Sequence, residues 1–151
     1  MLVQLKDVVK EYGSGEALFK AVDHVNFEIE EGEFVVILGQ SGAGKSTILN
    51  MLGGMDVPTS GSVIVDGCDV AKMNDKQLGK YRADKIGFIF QFYNLIPNLT
   101  SYENIALVKS IVKNARDPEE LLALVGLSGC RNKFPAQMSG GEQQRVSIAR
   151  A

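Results

Sequence analysis

The hydrophobic and polar positions of this chain follow two patterns, which predict two kinds of β-strand. From 25 to 30, apolar residues alternate with polar ones, as is typical of an antiparallel strand with one buried face. A similar pattern between 3 and 9 predicts a neighbouring strand. The run 34–38 is apolar at every position, which indicates a strand buried on both faces in a parallel sheet. We therefore predict an antiparallel flap followed by an α/β core.

Helix and strand patterns alternate through the middle of the chain. Helical spacing over 48–52 stops at a pair of glycines, and a short strand is expected over 62–65. A polar helix is expected over 75–82, followed by a second buried strand over 86–90. This alternation is consistent with an α/β fold.

The segment 101–130 is expected to be helical, and its first helix begins at 101–104. The next helix has Asp117 as its N-cap and Pro118 in its first turn, and acidic residues follow at the positive end of the helix dipole. Gly126 is expected to end this helix. The segment therefore predicts a helical subdomain.

A glycine-rich stretch lies between the first buried run and the helix that follows it. Its spacing, Gly-x-x-x-x-Gly-Lys-Ser, is typical of a loop whose N–H groups bind phosphate while the lysine reaches the β/γ oxygens and the hydroxyl binds Mg²⁺. Glycine permits the backbone conformations required, and the helix adds the positive end of its dipole. The alternative is a flexible glycine loop with an exposed lysine. We predict ATP or GTP bound by Gly39, Gln40, Ser41, Gly42, Ala43, Gly44, Lys45, Ser46 and Thr47.

Composition indicates one soluble globular unit. The chain has 151 residues, 45% of them hydrophobic, and a net charge of −2, so no basic field predicts nucleic-acid binding. No apolar run approaches the roughly 20 residues of a membrane helix, and the N-terminus lacks a signal-peptide pattern, so a cytoplasmic location is expected. Cys68 and Cys130 are expected to be reduced thiols without a structural role, and His24 a solvated strand residue.

Three further features allow two interpretations each. Asp66 ends an apolar run, as the Mg²⁺-positioning Asp of a Walker B strand would. Asp66-Gly67 is also a common hairpin turn. The hairpin turn is favoured because the run is short and no Glu follows. Gln91 follows the second buried strand, where it could contact the metal or the attacking water, or be an ordinary strand terminus. The apolar loop 92–97 is either a satellite core or a patch for a partner protein.

The last motif lies at 138–145 and begins a helix. Ser139 and Glu142 have the spacing of a capping box, which would explain both residues structurally. The two glycines between them leave bare N–H groups at a helix N-terminus, which can bind an anion. The motif therefore also predicts a second phosphate-binding surface.

The residues Ser-Gly-Gly-Glu-Gln at 139–143 follow the phosphate loop, 39–47, in the sequence. In this position they resemble the signature motif of ATP-binding cassette (ABC) proteins. The resemblance covers nearly the whole chain. Residues 63–67, 86–91, 94–97 and Asn104 most resemble the subgroup that energises lipoprotein release, macrolide export and antimicrobial-peptide efflux. The implied fold is α/β, a P-loop NTPase core with an N-terminal antiparallel flap and a helical subdomain.

The resemblance implies a role for each matching residue. Tyr12 would stack on adenine, although a surface turn aromatic is equally compatible with its position. Lys45 and Gln91 would act in catalysis, and Ser46 and Gln91 would attend Mg²⁺. The γ-phosphate of an ATP bound to a second cassette would be contacted by Ser139, Gly140, Gly141, Glu142 and Gln143.

The resemblance also implies partners and a location. Two cassettes would pair head to tail with ATP between them, so that ATP binding closes the homodimer and hydrolysis reopens it. The helical segment and the loop after Gln91 would dock on a membrane permease. The protein would then be cytoplasmic and peripheral on the inner face of the cell membrane.

The sequence departs from the family pattern because it contains neither an apolar strand ending in Asp-Glu nor a late switch histidine. Asp66 precedes the signature motif, and His24 lies too early. We therefore expect the N-terminal part of a cassette, with 34–38 lacking a neighbouring strand, that binds nucleotide poorly and hardly hydrolyses it. The region 105–117 also looks shorter than in well-known relatives.

The predicted organisation is one partial cassette, with a flap and P-loop core over 1–91, a helical subdomain over 92–138 and the signature region over 139–151. The favoured function is the energy-coupling ATPase subunit of a membrane transporter. The alternatives are a soluble ABC protein without a membrane partner and a non-catalytic nucleotide-binding regulatory module. A small-molecule kinase would not need the signature motif.

Overall fold

A computed structural model describes residues 1–112 and 114–151. The chain divides into two units, Met1–Arg82 and Ala83–Ala151. This division lies earlier in the chain than the boundary predicted after 91, and the predicted domain limits stay predictions. No helix among the described residues is long and apolar enough to cross a membrane.

The first unit contains a four-stranded antiparallel sheet in the order β2-β1-β3-β4. Strand β1 (Val3–Tyr12) lies between β2 (Phe19–Ile29) and β3 (Ser60–Val65), and β4 (Cys68–Asp69) continues from β3. Strands β1 and β3 bury the apolar side chains of Leu5, Val8, Val9, Val63 and Val65. The predicted antiparallel flap is confirmed.

The Asp66-Gly67 pair forms the turn between β3 and β4. Val65 and Cys68 are register partners, so the turn has two central residues. Both have positive φ, 48° at Asp66 and 74° at Gly67, as a type I′ hairpin turn requires. The hairpin interpretation of Asp66 is confirmed.

The first unit contains helix α1 (Lys45–Leu52) and the first eight residues of helix α2 (Asp75–Lys85). Helix α1 buries Ile48 and Met51, and helix α2 buries Tyr81. The Tyr81 hydroxyl donates to the Leu52 carbonyl, and the Arg82 guanidinium donates to the Gly54 carbonyl at 2.7 Å. The α2 side chains thus cover the carbonyls left open at the end of α1.

The two predicted buried strands are wrong as sheet strands, because neither 34–38 nor 86–90 pairs with another strand among the described residues. Phe34 is 93% exposed and Leu38 is 86% exposed. The segment 35–37, β2 and Ile48 line an apolar groove of about 320 Å³. An all-apolar run indicates that a segment prefers burial, but a strand also needs a hydrogen-bonding neighbour. The expectation that 34–38 lacks a neighbouring strand is consistent with this geometry.

The second unit is helical, with α3 (Ser101–Ala106), α4 (Pro118–Leu124) and α5 (Gly140–Arg150). They share a core of six buried side chains, Ile105, Leu122, Leu127, Cys130, Met138 and Val146. Short 3₁₀ turns lie at Gly15–Ala17 and Val70–Lys72 in the first unit and at Leu107–Ser110, Ser128–Cys130 and Pro135–Gln137 in the second.

The helix boundaries follow the predicted signals. Thr100 and Glu103 form a capping box at the start of α3. Asp117 accepts a hydrogen bond from the Glu119 N–H at 2.8 Å, which caps α4, and Gly126 follows that helix with a φ of 70°. The predicted helical character of 101–130 is confirmed for the described residues that form α3 and α4.

Asn104 is a buried polar residue that holds the loop before α3. Its Oδ1 accepts from the Ile96 N–H at 2.8 Å, and its Nδ2 donates to the carbonyls of Ile96, Leu99 and Thr100 at 3.0–3.1 Å. The residue is fully buried. A single buried amide therefore satisfies backbone groups at three positions of this loop, Ile96, Leu99 and Thr100.

We expect Asn104→Asp to lower the free energy of unfolding by at least about 2 kcal/mol at pH 7, because a buried carboxylate would face three carbonyl oxygens without a proton to donate. Chemical denaturation measures this loss. Asn98→Asp makes the same change at an exposed position of the same loop and should cost little. Equal losses in both variants would contradict the assigned role of Asn104.

Candidate functional site

The glycine-rich loop leads directly into α1, as predicted. Gly44 is the N-cap of this helix with a φ of 81°, and Gly42 has a φ of 82°. Glycine adopts these left-handed conformations without a steric penalty. Left-handed residues next to ordinary ones turn successive N–H groups toward one concavity, which is the backbone arrangement that binds anions. The loop and the helix dipole therefore suit a phosphate group.

The Lys45 ammonium lies against the loop that precedes it. Its Nζ donates to the carbonyl oxygens of Gly39 at 2.8 Å and Gln40 at 2.6 Å. The side chain thus spans the phosphate loop rather than extending into solvent. Phosphate oxygens are stronger acceptors for an ammonium than neutral carbonyls, so a bound phosphate would compete for the same protons.

Gly44 makes the closest backbone approach in the loop. A Cβ built on it would lie 2.2 Å from the Ala21 carbonyl oxygen, closer than carbon and oxygen can approach. Ala21 belongs to β2, so this contact sets the start of α1 against the sheet. Only glycine can occupy this position without a backbone shift.

We expect Gly44→Ala to cost about 2 kcal/mol more in the free energy of unfolding than Gly32→Ala. Gly32 has a φ of 84°, but a Cβ there would meet nothing within 4 Å, so the control carries the conformational strain without the clash. Urea denaturation of both variants gives the difference. Similar losses would mean that the contact with Ala21 relaxes freely.

Tyr12 lies in the same unit as the phosphate loop and ends β1. It is 42% exposed, and its hydroxyl donates to Asp56 Oδ2 at 2.5 Å. The Lys10 ammonium lies 4.8 Å from the centre of its ring. Sequence analysis misses Lys10 and Asp56, because their contact with Tyr12 joins segments far apart in the chain and follows no local spacing.

The predicted signature residues begin α5 with a capping box. Ser139 Oγ accepts from the Glu142 N–H at 3.3 Å, and Glu142 Oε2 accepts from the Ser139 N–H at 2.7 Å. The first two helical residues are Gly140 and Gly141, whose N–H groups precede the intrahelical hydrogen bonds. The Gln143 amide donates to the carbonyls of Pro135 and Met138 at 3.0 and 3.2 Å. The structural interpretation of the capping box is confirmed, and it leaves the two glycine N–H groups for an anion.

The comparisons with known proteins agree with the family resemblance that the two motifs carry. A sequence model of a family described as "ABC transporter" matches residues 22–151, which is most of the chain. This chain belongs to the ABC transporter family. The predicted family is therefore confirmed.

Curated relatives and a solved structure extend this result. An "Uncharacterized ABC transporter ATP-binding protein" of Thermotoga maritima is 47% identical over 99% of this chain and 66% of its own length. The "Lipoprotein-releasing system ATP-binding protein LolD" of Geobacter metallireducens is 43% identical over 99% of this chain and 69% of its own length. The chain thus spans about two thirds of the length of these ABC relatives.

The fold is also that of an ABC cassette. The "Dimeric structure of a post-hydrolysis state of the ATP-binding cassette MJ0796 bound to ADP and Pi" matches with a TM-score of 0.91 and 45% identity. The match covers 99% of this chain and 68% of the MJ0796 chain, which comes from Methanocaldococcus jannaschii. The predicted fold class and the predicted likeness to lipoprotein-release proteins are confirmed.

Gln91 belongs to the second unit of this ABC cassette and is exposed, without a paired strand before it. Ser46 belongs to the first unit, and the joint approach of both residues to Mg²⁺ stays a prediction. No group of three or more His, Cys, Asp or Glu side chains that could hold a metal is found in the part of the chain that the structure describes. Mg²⁺ at phosphate sites uses few protein ligands, so the Ser46 hydroxyl fits such an ion.

The signature cap has two neighbours that sequence analysis misses. Glu142 Oε1 lies 3.4 Å from the buried Cys130 thiol and 3.5 Å from the Lys133 ammonium. Hydrogen bonds from Ser139, with smaller contributions from Cys130 and Lys133, lower the pKa of Glu142 to about 2. The carboxylate is therefore ionised at neutral pH, next to the N–H groups of the signature helix.

We expect the Glu142 carboxylate to stabilise the second unit above about pH 4.3, the ordinary pKa of an unfolded Glu. Because its folded pKa is lowered, this stabilisation should fade as the pH falls from about 4.3 to about 2. The difference in free energy of unfolding between the parent chain and Glu142→Gln, measured by denaturation at several pH values, should shrink over that range. Glu16→Gln, at an exposed turn, is the control and should show a smaller change. A constant difference for Glu142→Gln would contradict the assignment.

Proposed function

We propose that this chain is the ATP-binding part of the energy-coupling subunit of an ABC transporter. The observation that carries the proposal is the phosphate loop, where left-handed Gly42 and Gly44 lead into α1 and the Lys45 ammonium lies across the loop. This arrangement supplies both the backbone donors and the charge that a triphosphate needs. Residues 39–47 would hold the phosphates, and the Tyr12 ring would stack on adenine.

Mg²⁺ would be held by the Ser46 hydroxyl together with phosphate oxygens. Ser46 is exposed and lies in the first turn of α1, directly after the lysine of the loop. When bound, the ion would neutralise phosphate charge and orient the γ-phosphate. Gln91 would be a second ligand or would position the attacking water.

The signature helix would bind the γ-phosphate of an ATP held by a second copy of the cassette. The capping box leaves the Gly140 and Gly141 N–H groups at the helix start, and the dimeric MJ0796 relative, bound to ADP and Pi, supports a paired arrangement. If both copies contact the γ-phosphate, the closed homodimer would be more stable with ATP bound than with ADP bound. Such differential affinity is what a ligand-driven switch requires.

The transport partner would be a membrane permease, with the cassette on the cytoplasmic side. Phe92 is 80% exposed and Ile96 is 42% exposed in the loop after Gln91, which supports the interpretation of 92–97 as a docking patch. Leu95 packs against the core of the second unit, so this loop is anchored as well as exposed.

Hydrolysis by these residues alone would be slow. The sequence contains no Asp-Glu dipeptide, so the carboxylates that position Mg²⁺ and activate water in the family pattern are not among the 151 residues. Lys45 and Gln91 would contribute charge and orientation. Neither residue would replace the general base that activates water.

We expect Lys45→Ala to weaken Mg-ATP binding by about tenfold or more, because it removes the charge-assisted hydrogen bonds of the loop lysine. Calorimetry measures the affinity, and light scattering shows whether ATP changes the oligomeric state. Lys80→Ala, which removes an exposed lysine of α2, is the control and should bind as the parent does.

A parent chain that unfolds cooperatively but does not bind Mg-ATP would overturn the proposed function. If Lys45→Ala bound Mg-ATP with unchanged affinity, the phosphate loop would not be the ATP-binding site. Substantial metal-dependent ATP turnover by the 151-residue chain would show that the hydrolysis part of the proposal is wrong.

A further inference from the structure

Three polar side chains from two separate segments meet in the first unit, which also contains the phosphate loop. Asp56, which follows α1, accepts from the Tyr12 hydroxyl through Oδ2 and from the Lys10 ammonium through Oδ1, each at 2.5 Å. Lys10 and Tyr12 are both on β1. The Lys10 ammonium also donates to the Val57 carbonyl at 2.7 Å and lies 4.8 Å from the centre of the Tyr12 ring.

These contacts restrain the Tyr12 ring in two directions. The charge-assisted hydrogen bond to Asp56 fixes the hydroxyl end of the side chain. The ammonium of Lys10 lies over one face of the ring, where a cation is attracted to the π-electrons. Only 13% of the Lys10 side chain and 23% of the Asp56 side chain are exposed, so water screens this pair less than a surface ion pair.

The charge state of Asp56 suits this role. Burial alone would raise the pKa of Asp56, but hydrogen bonds from Lys10 and Tyr12 outweigh it and lower that pKa. The Asp56 carboxylate in turn raises the pKa of the Tyr12 phenol, whereas an interaction with the Thr47 side chain lowers it.

We infer that Asp56, together with Lys10, is a positioning residue that holds the Tyr12 ring ready to stack on the base of a nucleotide bound at the phosphate loop. The inference rests on the proposed function and adds two residues to it. A tyrosine already held in its binding orientation loses less side-chain freedom when the base arrives. The lysine covers one face of the ring, and the exposed remainder of Tyr12 is left for the base.

The test compares a ligand that has a base with one that has none. Calorimetry measures the affinity of the 151-residue chain for Mg-ATP and for magnesium tripolyphosphate, which reaches the phosphate loop but cannot stack. The variants are Tyr12→Phe, Asp56→Asn and the double variant. Asp23→Asn is the control, because it removes a carboxylate that pairs with Lys20 at 3.1 Å on the surface of the same unit.

We expect Tyr12→Phe and Asp56→Asn each to weaken ATP binding about fivefold and to leave tripolyphosphate binding unchanged. Tyr12→Phe keeps the ring but removes the hydroxyl, so it breaks the same contact from the other side. The double variant should bind ATP no more weakly than either single variant, since both remove one interaction. Asp23→Asn should bind both ligands as the parent does.

Equal weakening of both ligands in Asp56→Asn would overturn the inference, because Asp56 would then act on the shape of the phosphate loop. Unchanged ATP affinity in both single variants would overturn it as well. If the parent binds neither ligand, the proposed function fails separately. Carbon-13 NMR of the tyrosine rings then decides the inference, which is wrong if Asp56→Asn leaves the Tyr12 ring signal unmoved.

Discussion

The contact between Gly44 and the Ala21 carbonyl decides how the phosphate loop is built. It brings the N-terminus of α1 against β2 with no room for a side chain. Because α1 begins at the next residue, the same contact sets the direction of the helix dipole and the position of the Lys45 backbone. A loop that binds phosphate through its backbone needs such an anchor, since glycine alone would leave it free to adopt many conformations.

Strand β1 connects this anchor to the rest of the first unit. Its middle position between β2 and β3 fixes its register on both edges, and its last residue, Tyr12, therefore has a defined place. The chain returns after α1 to Asp56, which binds Tyr12 and Lys10. The Tyr12 ring and the glycine-rich loop thus belong to one connected set of strand and helix contacts, although the sequence separates them widely.

Local signals predicted local structure well, and contacts between distant segments decided the rest. The turn at Asp66-Gly67, the capping box of Ser139 and Glu142 and the left-handed glycine at 126 depend on neighbouring residues, so their spacing is sufficient. The run 34–38 predicted burial, but strand formation depends on a neighbour that its own residues do not specify. The partners Asp56, Cys130 and Lys133 follow no motif for the same reason.

The signature helix contains an electrostatic conflict that its neighbours reduce. The Glu142 carboxylate accepts from the Ser139 N–H and stabilises the helix start because it lies at the positive end of the dipole, where a phosphate would also be attracted. Two anions at one helix end repel each other, and a nearby cation offsets part of that repulsion. The Lys133 ammonium lies 3.5 Å from Glu142 Oε1, so its positive charge offsets part of the carboxylate's negative charge at the helix start.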